Sequence, residues 1–549
     1  MEKVQKRFNI LAIVCIIFFA IAISPKELQN DTFYTIKIGE YISENGIGNL
    51  TEDPFSWHDL SYTFPHWLYD YFIYNIYSLS GMDGLYFSTI FFTFILGISI
   101  FFVANKKSQN SVLSFLITLL ALFVIKPYIA VRAQLVTFTL FVWTAYFIEK
   151  FLDSRKYKYG IFLFIISVLI ANIHLAVWPM FFVLFCPYIG EYVVAVDWFN
   201  LDLIIDLKII WYKFFDKKNK DKIKELREIE KENSEKRKKI RKNPYKIKMS
   251  KNDNIFPLLF IFFISILGGL LTPTGFTPFT YLYKTLQGNT TTVINEHLPL
   301  TLVSAPEFAF SLIAFLAVLI FTDSKIRLSD FFFFAGLTYL SLRSRRQISM
   351  FVIICYPIFA RLMSELFNKH DKKFNERSLK FFTNYFVVLG ILGVVSISAI
   401  FMYRPQVNAE YVNEELYPVQ ASKWIKENLD LSRIRLFNEY NYGSYLLYQG
   451  IPVMIDSRAD LYAPEFNTKT GDPKDGIDIF MDVQNTVTLA TDYVKIFKKY
   501  DISHIILTKN SKLASLLQKD SDYKELYKDD YFIIFENKKI IWIDTVELE

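Results

Sequence analysis

The sequence up to Met402 is dominated by charge-free apolar runs, and only lipid can solvate that many of them. Residues 261–271 and 385–402 are two of these runs. A membrane-crossing helix needs ~20 mostly apolar residues. Spans are therefore expected near 8–24, 84–104, 110–126, 133–149, 158–174, 175–195, 254–272, 306–322, 329–342, 347–364 and 379–402, about eleven in all. After Tyr403 the apolar runs shorten and charges separate them. The expected fold class is a mostly α-helical polytopic membrane protein with a C-terminal extracytoplasmic α/β domain. The division falls between a transmembrane part, 1–402, and a soluble part, 403–549.

Loop charges orient the bundle, because Lys and Arg accumulate on the cytoplasmic side. With the N-terminus inside, the segments 1–7, 105–110, 150–159, 196–252, 322–330 and 361–380 are cytoplasmic, and all are basic. The segments 25–83, 127–132, 273–306 and 343–346 are then outside. An odd number of spans puts the C-terminal domain outside with them. Residues 8–23 follow Lys3, Lys6 and Arg7 as in a signal peptide, but no small-residue cleavage site follows, so a retained first span is expected. The expected location is the cell (plasma) membrane, and membrane lipids are partners.

The net charge of +6 is modest, and its basic excess lies within 208–251. There Lys222, Lys224, Glu225, Glu228 and Glu232 recur at helical spacing, the pattern of a solvated or membrane-surface helix. No nucleic-acid-binding face is expected. Cys15, Cys186 and Cys355 lie apart in apolar runs, which reads as small buried hydrophobes and argues against a disulfide framework.

Two basic positions run against the charge bias. Lys126 and Arg132 form one, and Arg343, Arg345 and Arg346 form the other. Lys126 suits snorkelling to headgroups. Several guanidinium groups at one span mouth suit a phosphate, because each forks onto two oxygens.

Outer loops as long as 25–83 and 273–306 are usually functional. In the first, Phe33, Ile36 and Tyr41 give helical spacing over 32–42, with Gly46 as a stop. Asp31 then sits at a helix N-terminus, where it is either a cap or a catalytic base. A second, aromatic helix is expected over 67–79. Asp53, before Pro54, opens a turn or acts as a second carboxylate. His58, Asp59, His66 and Asp70 are ligand types for a divalent cation, but their spacing is irregular and no metal ligand set is assigned.

An acidic residue after span one, an amphipathic helix, an extended stretch and a second helix before span two together resemble the GT-C glycosyltransferases. These include the protein O-mannosyltransferases, the aminoarabinose transferases and the oligosaccharyltransferase catalytic subunits. The chain is most similar to a group of bacterial membrane proteins in that class. The similarity rests on DPFSW (53–57), HWLYD (66–70), RAQL (132–135), NIH (172–174), NEHLPL with APEF (295–308), RSRRQISMF (343–351), NEYNYGSYLLY and PVMIDSRADLY (438–462). Phe64-Pro65-His66 replaces the Lys-Pro pair of the aminoarabinose transferases, and RAQL replaces RPQL, so the acceptor does not carry over.

The resemblance implies transfer of a sugar from a polyprenyl-phosphate donor to a glycan, lipid or protein acceptor on the outer face. Asp31 is then the base, with Asp53 assisting. Arg343, Arg345, Arg346 and Arg132 bind the donor phosphate. His66, His174, Glu296 and His297 form a substrate and lid group. A divalent cation stays open as cofactor, as in some members of the class.

In the C-terminal part, 435–437, 453–455, 504–507 and 531–535 read as strands and 418–429 and 483–500 as helices, giving a partly parallel sheet. Asn438, Asp456, Arg458 and Asp460 end its strands and suit a ligand or an internal ion pair. No GxGxxG or P-loop is present, so nucleotide binding is not expected. Two other functions compete. A transporter or flippase of lipid-linked glycans would show an internal repeat and mid-membrane polar groups, and neither is seen. A non-catalytic envelope-assembly protein would depend on its soluble domain alone.

Overall fold

The computed structural model describes residues 2–47, 52–195, 202–215, 219–240, 247–249, 251–288, 294–321, 325–468 and 472–539. Parts of the 196–252 insertion and of the 273–306 loop lie outside the described residues.

Each of the eleven apolar segments carries helix, with breaks at 184–185 and 383–384. Among the described residues, seven helices are long and apolar enough to cross a membrane: Glu2–Ile23, Trp67–Ser108, Ser111–Tyr128, Ala133–Ser154, Leu175–Ala195, Arg345–His370 and Tyr385–Arg404. The segments Tyr157–Ile173, Ile255–Leu270 and Pro306–Phe321 are shorter apolar helices. Leu328–Arg343, at 16 residues, is also short, since a helix rises only ~1.5 Å per residue against a ~30 Å hydrocarbon layer. The Arg345–His370 helix runs through the middle of the bundle against Trp67–Ser108 and Ser111–Ile125, with Val352, Cys355 and Ala360 fully buried. Cys15 is buried as well, whereas Cys186 faces outward, contrary to expectation, on a span with lipid-facing positions.

The first long loop folds as the helical spacing predicts. Asn30–Asn45 is a helix that ends at Gly46, whose φ of 70° is the left-handed turn glycine favours. It packs against the start of Trp67–Ser108 so closely that a Cβ on Gly39 would lie 2.2 Å from the Asp70 carbonyl oxygen. That second helix breaks at Gly81, whose backbone (φ 61°, ψ -151°) is not helical, so the juxtamembrane helix ends close to residue 79 as expected and the span begins beyond the kink.

The C-terminal part carries a four-stranded mixed sheet in the order Leu436–Phe437, His504–Thr508, Phe532–Asn537, Tyr523–Lys528. The first pair is parallel and the others antiparallel. Residues 453–455 are not a strand of this sheet; Val453 instead bridges to Ser56 of the first loop. The expected helix over 483–500 is two, Ile479–Val487 and Tyr493–Lys499, broken where Leu489 adopts φ 62°.

One apolar core joins this domain to the Asn30–Asn45 helix. Phe33, fully buried, meets the rings of Tyr417, Tyr445 and Tyr448 at 5.0, 5.1 and 5.4 Å. Burying a ring of this size stabilises by about 2–3 kcal/mol. The loop and the C-terminal domain thus share one core.

Candidate active site

Where the loop, the bundle end and the C-terminal domain meet, they enclose a cavity of about 530 Å³. Its wall brings together Asp31, His66, Arg132, His174, Glu296, His297, Arg346, Arg458 and Asp460, which the sequence spreads over more than 400 positions. Each is delivered by an element junction. Asp31 lies in the first turn of its helix, whose N-cap Gln29 makes no side-chain cap. Arg132 immediately precedes the Ala133–Ser154 helix. His174 ends Tyr157–Ile173, and the Leu175 N–H bonds the Pro65 carbonyl at 2.9 Å, which fastens His66 beside it. Asn172 braces this corner: it accepts from Trp67 Nε1 at 3.0 Å and donates to the Val168 and Leu271 carbonyls at 2.8 and 3.0 Å. The second loop is held by the Arg345 N–H on the Leu298 carbonyl at 3.2 Å.

The cavity cations differ in their partners. Arg132 is bound on both sides, by Asp31 at 3.0 Å and Glu296 at 2.8 Å. Burial opposes the ionisation of Glu296, but Arg132 and Arg346 outweigh it and hold its carboxyl below the usual range. Arg458 is neutralised by Asp53 at 2.6 Å and Asp456 at 2.6 Å, a triad with almost no exposure. Arg346 alone among these arginines has no carboxylate at ion-pair distance among the described residues; its recorded contact is His174 Nε2 at 3.5 Å. The His66 and His174 rings face each other at 4.9 Å. Burial, and then the Arg346 and Arg132 charges, lower the His66 pKa to about 3, so the ring stays neutral at physiological pH. Tyr281 donates to Asp460, whose carboxyl is raised by burial.

Several expected site residues lie elsewhere. Asp53 is not at the cavity wall: its side chain is fully buried under Arg458, and it accepts from the Ser56 N–H at 2.9 Å. Asp456 and Asn438 are also behind the wall. Asn438 clamps the chain by accepting from the Met454 N–H at 2.9 Å and donating to the Ile455 carbonyl at 2.7 Å. Arg343 is exposed, and neither it nor Arg345 lines the cavity. A three-residue turn, Arg345–Gln347, points consecutive side chains in different directions and separates the three arginines. His58 Nε2–H donates to the Met454 carbonyl at 3.0 Å, and His58 does not line the cavity that holds His66. Among the described residues, no three His, Cys, Asp or Glu side chains of the cavity come within metal-ligand spacing of one another. The first-loop residues considered for a divalent cation therefore do not assemble a site for one.

The cavity also takes residues that sequence reasoning did not single out: Tyr34, Tyr62, Tyr69, Gln134, Glu439, Tyr440 and Phe480. Tyr34, three residues after Asp31 on one helix face, had a usable spacing signal. Tyr440 sits inside the NEYNYGSYLLY segment.

No family model and no curated protein matches the sequence. The architecture, however, is the GT-C glycosyltransferase fold. The archaeal oligosaccharyltransferase AglB of Archaeoglobus fulgidus, solved with an inhibitory peptide and a dolichol-phosphate, superposes with a TM-score of 0.52 at 11% identity, over 98% of this chain and 75% of that one. ArnT of Cupriavidus metallidurans, solved with undecaprenyl phosphate, does so with a TM-score of 0.50 at 10% identity, over 97% of this chain and 98% of that one.

Proposed function

We propose that this protein is a glycosyltransferase that moves a sugar from a polyprenyl-phosphate donor to an acceptor hydroxyl at the outer face of the membrane. The observation that carries the reading is the cavity at the bundle mouth, where the Asp31 carboxylate and an arginine with no carboxylate partner among the described residues line one chamber. The fold supports it, since the AglB and ArnT structures hold dolichol-phosphate and undecaprenyl phosphate.

In the proposed reaction the acceptor oxygen attacks the anomeric carbon of the donor sugar. The bond from that carbon to the phosphate oxygen breaks, and polyprenyl phosphate leaves. Asp31, aimed by Arg132, takes the acceptor proton. Arg346 stabilises the charge that grows on the phosphate, and it does so without first giving up a carboxylate. Glu296 holds Arg132 from the second loop. Asp53 and Asp456 serve by seating Arg458, so that the soluble domain closes the chamber.

The test is sugar transfer in proteoliposomes made with total bacterial polyprenyl-linked sugars. Asp31→Asn is expected to abolish transfer while the protein inserts and folds normally. Wild-type turnover in that variant contradicts the assignment, and lipid movement without a new glycosidic bond favours a flippase.

A further inference from the structure

We propose that His174 is a positioning residue: a single imidazole tautomer, imposed by Thr137, seats the Arg346 guanidinium. The inference rests on the phosphate-binding reading of Arg346.

The hydrogen bonds run through one buried chain. Thr137 and His174 are both buried, at 0% and 3% exposure. The Thr137 hydroxyl has one proton, and it is given to the Gln134 carbonyl at 2.9 Å. Thr137 Oγ1 can then only accept from His174 Nδ1, 3.4 Å away, so Nδ1 carries the ring hydrogen. A neutral imidazole has one N–H, which leaves Nε2 as a lone pair. That lone pair faces Arg346 Nη2 at 3.5 Å, and an arginine can only donate. The opposite tautomer would set two donors against each other in a buried corner, which costs the desolvation of both. A protonated ring would have no lone pair for Arg346 and would place a second cation against it in a buried corner.

The consequence is directional. Arg132 is fixed by two carboxylates, which also cancel its charge. Arg346 is held by a neutral acceptor instead. Its fork is oriented, and its full positive charge stays available to an anion in the cavity. A carboxylate in place of His174 would orient Arg346 equally well and neutralise it. This also gives RAQL and NIH a shared purpose: Gln134 and His174 are the two ends of the relay through Thr137.

Two measurements on the purified full-length protein test the seat, with undecaprenyl phosphate as the probe. The first is nitrogen-15 NMR of histidine-labelled protein; with six histidines in the chain, the His174 signals are assigned by their loss in His174→Gln. The Nδ1–H tautomer is expected, and an Nε2–H tautomer overturns the seat whatever the lipid does. The second is lipid affinity. His174→Phe is expected to weaken binding about tenfold, and His174→Gln, which places an amide oxygen within reach of Arg346, to recover most of it. The His174→Phe effect is expected to vanish in an Arg346→Ala background, since the two act as one unit. Unchanged affinity in His174→Phe, or losses that add independently, overturn the proposal. If wild-type protein shows the Nδ1–H tautomer yet binds no undecaprenyl phosphate, the seat stands and the polyprenyl-phosphate reading fails.

Discussion

Arg346 and Arg132 carry the same charge into the same cavity, but their partners give them opposite uses. Arg132 spends its donors on Asp31 and Glu296, so it organises the site. In the proposed reaction Arg346 keeps its donors for an incoming phosphate. Charge-assisted bonds of this kind contribute enough that Arg346→Ala is expected to weaken undecaprenyl phosphate binding about 10- to 100-fold. Arg343→Ala, on an exposed side chain outside the cavity, is expected to leave it unchanged. Isothermal or native mass-spectrometric titration in detergent checks both. His58 gives a separate residue-scale prediction. Burial lowers its pKa from 6.5 to about 4 while it holds the Met454 carbonyl. The unfolded chain therefore takes up a proton that the folded one refuses, and stability present above pH 6.5 is lost as pH falls toward 4. The melting temperature should drop across that window and flatten in His58→Gln. A melting temperature independent of pH there contradicts the assignment.

At the scale of elements, the soluble domain is held to the first loop by a buried ionic clasp and an aromatic core. Arg458 faces Asp53 of the loop and Asp456 of its own domain, with 2% of its side chain exposed. Removing one member of such a cluster strands the others, at a cost of about 3–5 kcal/mol. Arg458→Ala should therefore lower the melting temperature and expose the 52–60 segment to protease, whereas Arg433→Ala, in an exposed pair, should do neither. The helices were legible because their apolar runs are long and Gly46 marks a stop. The Tyr523–Lys528 strand was not, because Lys524 and Glu525 at the sheet edge are exposed and break the apolar alternation. The stretch 453–455 read as a strand because it is fully buried, but its burial comes from packing and from one bridge to Ser56. Asp31 and Arg132 announced themselves by position at span mouths. Asp53 could not be told from a catalytic acid in sequence, because its partner lies 405 residues away.

At the scale of the whole molecule, the seven long apolar helices and four shorter ones among the described residues, with the mixed-sheet domain, enclose a chamber at one end of the bundle. From the loop charges we propose that this end lies at the outer face. Labelling with a membrane-impermeant maleimide checks this: Lys524→Cys should react in intact cells and Lys222→Cys only after lysis, and the reverse pattern contradicts the orientation. The proposed function depends on where a lipid phosphate settles. A cryo-electron microscopy structure of the protein with undecaprenyl phosphate should show the phosphate within hydrogen-bonding reach of Arg346, inside the chamber lined by Asp31. A phosphate bound elsewhere, or a chamber left without lipid at saturating concentration, would contradict it.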